Sequence, residues 1–529
     1  MERHKEKMEM LTFKADVKDI DSGEFFVTLN NKDAEEMGLL EHDRVKVSKE
    51  GKSITAIVQK SMSLVKPHNV TILTRGAMAL DVKNGDDVLI SPTGKPRSVG
   101  IIKAKMDGKT LTSEEMRIVV NDIVERRLSY IELTAYVVAN YINGMNMQEI
   151  KDLTLAMVET GETIDFATGP IFDFHSVGGS PGNKVTLIVV PIIMAAGLII
   201  PKTSSRAISS ACGTADILET ICNVTLSTEE IKSITQKIGG TIAWGGGVEL
   251  APADDLIIHV EYPLGIDPYG QLLASVMAKK KAVGANYMLL DIPMGPGTKV
   301  PDEKLARRYA RDFIELGEML GIKVECAITY GGQPVGHGIG PAIEAREALA
   351  ILEGSTTPNS VVMKSTHLAG IILEMAGLTN RGQEMAMDIL RSGKALEKFR
   401  LILKHQGAPN PDLKSEDIPL GQFSEEFYAS RDGYVDYIDN KRLVKIARAA
   451  GAPKDKGAGL IVHNKGGRKV EKGTIMLTLY ADNKVKFEEA KRLVLEEMPI
   501  RIEGMLLHRI PGTQQIVVDG SSGDFKNVP

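Results

Sequence analysis

The chain has 529 residues, 43% of them apolar and 25% charged, and a formal net charge of −5. That length exceeds what one compact core holds and predicts about three or four domains. The mildly acidic balance and the few aromatics (5%, with Trp244 the one tryptophan) argue against a nucleic-acid polymer, an anionic membrane or a single-strand stacking surface as partner.

Residues 14–102 read as β-rich. Runs at 25–29, 53–58 and 69–73 are β-branched or aromatic and bounded by turn residues. Residues 37–48 and 80–91 echo each other, each with a turn at an acidic residue and then a strand ending in serine. Two such copies predict a small pseudo-symmetric barrel of the double-psi type; two unrelated turn–strand units fit the pattern equally well. From 109 to 168 the period becomes helical. Thr112, Ser113, Glu114 and Glu115 form a capping signal, and Met116, Ile118, Val119, Ile123 and Val124 follow at helical spacing. Further helices are expected from Ser129 and from Asn146.

Between 171 and 408 strands and helices alternate. Strands are expected at 185–190, 241–243, 256–260, 287–291 and 323–329. Helices are expected at 228–238, 270–281, 302–320, 341–352 and 366–376. Such alternation argues for a largely parallel sheet, with ligands beyond the carboxyl ends of its strands. From 425 the pattern is β again, with strands at 432–438 and 459–463, a turn and then a strand within 470–480, a charged helix at 485–497, and a polar tail expected to be disordered beyond Asp519. The expected fold class is multidomain α/β. It comprises an N-terminal β-barrel-like domain (1–103), a helical domain (104–170), a central α/β domain (171–420) that is allowed to exchange helices with the helical one, and a C-terminal α+β domain (421–529).

Cys212, Cys222 and Cys326 are odd in number and lack metal-ligand spacing, which suits buried thiols in a reducing cytosol. The polar opening from Met1 to Lys7 predicts no signal peptide, and the apolar run 185–200 is too short to span a bilayer. A cytoplasmic location is expected.

Two loops flank that apolar run. In the first, Gly178, Gly179 and Gly182 let backbone approach a ligand, and Ser176, Ser180 and Lys184 add donors. It lacks the Gly-Lys-Ser/Thr end of a Walker loop, and taken alone it fits a plain strand–helix connection slightly better. In the second, Thr203, Ser204, Ser205, Ser209, Ser210 and Thr214 put hydroxyls beside Lys202 and Arg206. Hydroxyls, a guanidinium and backbone N–H groups together suit a phosphate. Asp267 sits at a turn before a helix, where an ordinary cap and a general acid are both open readings, the cap favoured by position alone. Ser275 and Lys279 lie four apart on one helix face, and Lys299 is a loop cation. His175 and His337 have no triad or metal spacing and read as structural loop histidines.

These motifs resemble the nucleoside phosphorylase family that contains the thymidine and pyrimidine-nucleoside phosphorylases. The carriers are Asp-x-His-Ser-x-Gly-Gly at 173–179; Ser204, Arg206, Gly213, Thr214 and Asp216; Ala-Pro-Ala-Asp at 251–254; Ser275 with Lys279; and the stretches 333–336 and 344–347. The likeness runs from about Lys109 to Glu497. Two departures matter. The family's base-gripping arginine gives way to Val260 or Glu261, and Phe174 stands where the family has a phosphate-binding lysine, for which Lys184 or Lys202 is a candidate replacement. Loops 179–184 and 202–208 and the added N-terminal β domain resemble an archaeal branch that splits nucleoside 5′-monophosphates.

The resemblance implies a pentosyltransferase that phosphorolyses AMP and other nucleoside 5′-monophosphates to free base and ribose 1,5-bisphosphate. It places substrate contacts on Gly179, Ser205, Arg206, Ala207, Ile208, Ser209, Ser210, Thr214, Ser275 and Lys299, and the proton donor at Asp267. It implies no metal and no cofactor, phosphate being a substrate, and a homodimer or higher homo-oligomer. A pyrimidine-nucleoside (thymidine) phosphorylase is the alternative, and a phosphoribosyltransferase and a non-catalytic nucleotide sensor are more distant ones.

Overall fold

The computed structural model describes residues 10–167, 169–207 and 210–505, and the backbone of Phe525 and Lys526. They divide into two units. The first takes the chain up to Gly161 together with Ala251–Ala278; the second takes Glu162–Leu250 and the chain from Lys279 on.

The first unit opens with a closed six-stranded barrel of β1 (Leu11–Lys18), β2 (Phe26–Asn30), β3 (Arg44–Lys49), β4 (Lys52–Ser61), β5 (Asn69–Leu73) and β6 (Asp87–Thr93), in the order β1-β5-β2-β4-β3-β6. Helix α1 (Asn31–Glu36) follows β2 and α2 (Thr74–Leu80) follows β5. The pairings β1–β5 and β2–β4 are parallel; the others are antiparallel. Exchanging β1 with β4, β2 with β5 and β3 with β6 leaves this pattern unchanged, so the repeat seen in the sequence is a structural two-fold. The turn chemistry repeats as well. Asp43 accepts the N–H of Leu40 at 2.8 Å, and Asp86 accepts that of Lys83 at 2.9 Å. Inward residues Val27, Leu29, Val45, Val47, Val70, Ile72, Val88 and Ile90 fill the barrel, as strand alternation requires.

The helical layer of this unit has three helices with full capping boxes: Ser113–Val124, Tyr130–Asn143 and Met147–Glu159. Helix Pro252–Leu264 packs on the first two of these. This corrects the strand expected at 256–260. The Leu-Ile-Ile-His-Val run looks β by composition, yet Pro252 at the first turn, Asp254 and Asp255 behind it and Gly265 in a left-handed C-cap are helix-end signals that outweigh it.

In the second unit, strands Phe172–Ser176, Tyr287–Met294 and Lys323–Tyr330 form a parallel sheet with Tyr287–Met294 in the middle. Ile200–Ser204 and Gly240–Trp244 form a parallel pair, joined to that sheet by a single bridge from Ile199 to Ile171. The strand expected at 185–190 is the start of helix Thr186–Ala195. Residues 186–194 are buried on every side, so the run carries no period from which to tell helix from strand. The C-terminal β region is a five-stranded sheet that takes in Gly338–Ile339 and a three-stranded sheet around Gly433–Ile438. The tail expected to be disordered lies outside the described residues, except that the backbone of Phe525–Lys526 pairs with Tyr428 and Ala429. Among the described residues, no helix is long and apolar enough to cross a membrane, and no group of three His, Cys, Asp or Glu could hold a metal ion.

Candidate phosphate and nucleotide site

In the second unit, Phe172–Ser176 and Ile200–Ser204 run the same way from the Ile171–Ile199 bridge, so the loops that follow them leave from the same edge. A third loop follows Tyr287–Met294 and ends at Lys299. Gly179 has a positive φ of 89°, and a Cβ on it would stand 2.5 Å from the Lys299 nitrogen. Only glycine allows that approach, and it brings two expected contact residues, Gly179 and Lys299, together.

Alternation along Phe172–Ser176 puts Phe172 and Phe174 in the core and Asp173 and His175 on the other face. Phe174 is fully buried and offers nothing to an anion. The cations come from elsewhere. Lys280 and Asp173 form a buried ion pair, with Nζ 2.9 Å from Oδ1. Lys202, 3% exposed, donates to the Thr203 carbonyl. Burial and the neighbouring Lys280 ammonium bring its pKa down to about 7. Burial, then the charges of Lys280, Lys202, Lys279 and Lys299, hold His175 well below its ordinary value, so its imidazole is neutral. Four lysines around a neutral histidine, at the carboxyl edge of a parallel sheet, make a field that an anion would relieve. His175, read from the sequence as structural, thus belongs to this cluster. Lys280 was missed. Its signal lay in the Lys279-Lys280-Lys281 run closing helix Tyr269–Ala282, of which only Lys279 was read.

Several expected donors have other partners. The Arg206 guanidinium bonds Glu219 (Nη1 to Oε2, 2.6 Å) and Asp216 (3.4 Å) and lies 4.5 Å from the centre of the Trp244 ring. The Arg206 partnership holds Glu219 down to about 2. Asp216 also accepts the N–H groups of Ala207 (2.7 Å) and Gly213 (2.9 Å). Arg206 and the Ala207 N–H thus brace the loop through the nearby acids. Ser176 gives its proton to Asp291 at 2.8 Å and accepts from Asn183 at 2.9 Å. Lys184, a candidate replacement for the family lysine, is turned to Glu347 and two backbone carbonyls. Ser205 is exposed, Thr214 half-buried at the start of a short helix, and Ser210 donates to the Cys212 carbonyl at 3.0 Å. Ile208 and Ser209 lie outside the described residues.

The remaining expected residues belong to the first unit. Ser275 donates to the buried carboxylate of Asp254 at 2.8 Å. Asp267 lies two residues ahead of helix Tyr269–Ala282 and is exposed.

Residues 99–161 match the helical bundle domain of a glycosyl transferase family, 168–259 its α/β domain, and 434–501 the pyrimidine nucleoside phosphorylase C-terminal domain. The chain is 49% identical to the AMP phosphorylase of Methanosarcina acetivorans over 93% of its own length and 97% of the relative's. The AMP phosphorylase of Methanosarcina barkeri is 50% identical over 93% and 97%. AMP phosphorylase 1 of Archaeoglobus fulgidus is 48% identical over 94% and 98%. A solved anthranilate phosphoribosyltransferase from Thermus thermophilus aligns with 58% of this chain and 98% of its own at 20% identity and a TM-score of 0.49, a likeness too slight to carry an argument. Sequence identity near one half across almost the entire length, with the family motifs in order along it, means that this chain belongs to the AMP phosphorylase family.

Proposed function

We propose that the protein phosphorolyses AMP and other nucleoside 5′-monophosphates, giving free base and ribose 1,5-bisphosphate in nucleotide breakdown. The observation that carries this reading is the lysine cluster around His175, in a chain near half identical to named AMP phosphorylases. An oxygen of inorganic phosphate attacks C1′ of the ribose as the bond from C1′ to the base nitrogen breaks. The electron pair of that bond leaves with the base, and a proton from Asp267 neutralises it at a purine ring nitrogen. Lys202, Lys279 and Lys280 hold the attacking phosphate, and Gly179, Ser205–Ser210, Thr214, Ser275 and Lys299 contact the nucleotide. Arg206 and Ala207 also brace the loop that makes those contacts. Asp267 takes its acid role once bound base covers it. Phosphate is a substrate, so neither metal nor organic cofactor enters the scheme, and the working form is a cytoplasmic homo-oligomer.

The test is incubation with AMP and phosphate, following adenine and ribose 1,5-bisphosphate. Both should appear in equal amounts. Cleavage of adenosine with AMP left untouched would overturn the reading.

A further inference from the structure

We propose that Lys184 is a positioning residue: its buried ammonium is a built-in cation that fastens the glycine loop at 178–183 to the turn at 333–338 and so fixes where the substrate anion is held. The side chain is fully buried. Its Nζ donates to the Gly338 carbonyl at 2.9 Å, to the Val335 carbonyl at 3.3 Å and to the Glu347 carboxylate. An ammonium has three N–H donors, and here three acceptors use them, which leaves none for a ligand. Glu347 completes the cage by accepting the N–H groups of His337 at 2.8 Å and Gly338 at 3.2 Å.

The same two segments are tied at further points. The Val335 N–H donates to the Pro181 carbonyl at 2.9 Å, and Ser180 donates to the Gln333 carbonyl at 3.4 Å. Gly182 has a φ of +73°, and a Cβ on it would lie 2.6 Å from the Val335 oxygen and 2.7 Å from that of Gly338. Nothing larger than glycine fits against those carbonyls while they face the ammonium. At its other end the loop rests through Gly179 on Lys299. The glycine loop is therefore held on both flanks, and the Lys184 cage is the flank that carries charge.

Burial acts to raise the Glu347 pKa, but the Lys184 ammonium together with the His337 and Gly338 N–H groups outweighs it and keeps the carboxyl below its ordinary value. Burial, helped by Lys184, brings the nearby Lys465 down to about 7. Lys465 donates to the Pro334 carbonyl at 2.7 Å and is only partly charged near neutrality, so it adds little fixed charge beside the Lys184–Glu347 pair. One carboxylate and two carbonyls would equally well receive a free ammonium ion if the lysine were shortened.

The inference rests on the phosphorolysis reading, and its test has a readout that does not. Lys184→Ala and Lys184→Met are compared with the unchanged full-length protein by amide hydrogen exchange over residues 178–183 and by phosphate KM. In both variants the loop amides should exchange faster, and KM for phosphate should rise by roughly 10²-fold with a smaller fall in kcat. Ammonium chloride should reverse both effects in Lys184→Ala but not in Lys184→Met, whose side chain fills the space. Tetramethylammonium chloride at equal ionic strength should reverse neither. Unchanged exchange in Lys184→Ala, or losses in folded Lys184→Ala that ammonium leaves in place, would overturn the inference. If neither lysine variant folds, Glu347→Gln keeps the shape and removes the charge, and loop exchange equal to that of the unchanged protein would sink the idea. Failure of the unchanged protein to cleave AMP would defeat the phosphorolysis reading alone, because loop exchange still decides the role of Lys184.

Discussion

Lys202 should cost stability and supply binding, and Lys202→Met separates the two. Burial and the Lys280 ammonium bring its pKa from 10.5 to about 7. In the unfolded chain the amine keeps its ordinary value, so between those pH values the unfolded state holds the extra proton and folded stability rises with pH. At about 1.36 kcal/mol per pH unit, the cost below pH 7 is on the order of 5 kcal/mol, an upper bound because the variant also loses the bond to the Thr203 carbonyl. Lys202→Met should therefore be more stable than the unchanged protein at pH 7, by about 2–4 kcal/mol once that bond is discounted. The gain should shrink toward nothing as pH approaches 10.5. Urea denaturation at several pH values reads this directly. Phosphate KM should rise in the same variant, and in the unchanged protein phosphate affinity should weaken above pH 7 as Lys202 gives up its proton. A variant no more stable at pH 7, or a stability difference that does not change with pH, would refute the assignment of Lys202 as a buried, destabilised amine.

Other outcomes test other parts of the site. Asp267→Asn should lower kcat for AMP by roughly 10²–10⁴-fold while phosphate still protects the protein against heat; an unchanged kcat would remove Asp267 from the chemistry. Asp254→Ala leaves Ser275 without its 2.8 Å acceptor and should raise KM for AMP by about tenfold with phosphate KM steady. Arg206→Met should act on stability more than on affinity, lowering it by about 1 kcal/mol after solvent screening. Glu219 sits below its ordinary 4.5, at about 2, because of Arg206. The stability it contributes is present above pH 4.5 and is lost as pH falls toward 2, so acid unfolding of Arg206→Met should begin at higher pH.

Amino-acid order alone determined the elements whose ends carry local chemistry. The capping boxes at Thr112, Ser129 and Asn146 mark their helices within a few residues of chain, and the barrel's two halves repeat the same acidic turn at Asp43 and Asp86. The two loops were legible as candidate anion binders, because Gly, Ser, Thr and cations are concentrated in one short stretch. Tertiary structure decided the rest. The runs at 186–194 and 252–264 are helices because of what surrounds them and how they end, neither of which their β-branched composition reveals. The partners of the charged groups were hidden for a simpler reason. Lys184 meets Glu347 across 163 residues of sequence, and Lys280 meets Asp173 across 107. Sequence shows that a cation is present, but which acid or carbonyl takes its protons depends on where distant segments pack. That packing makes Lys184 and Arg206 braces and leaves Lys202 and Lys280 in the lysine cluster around His175.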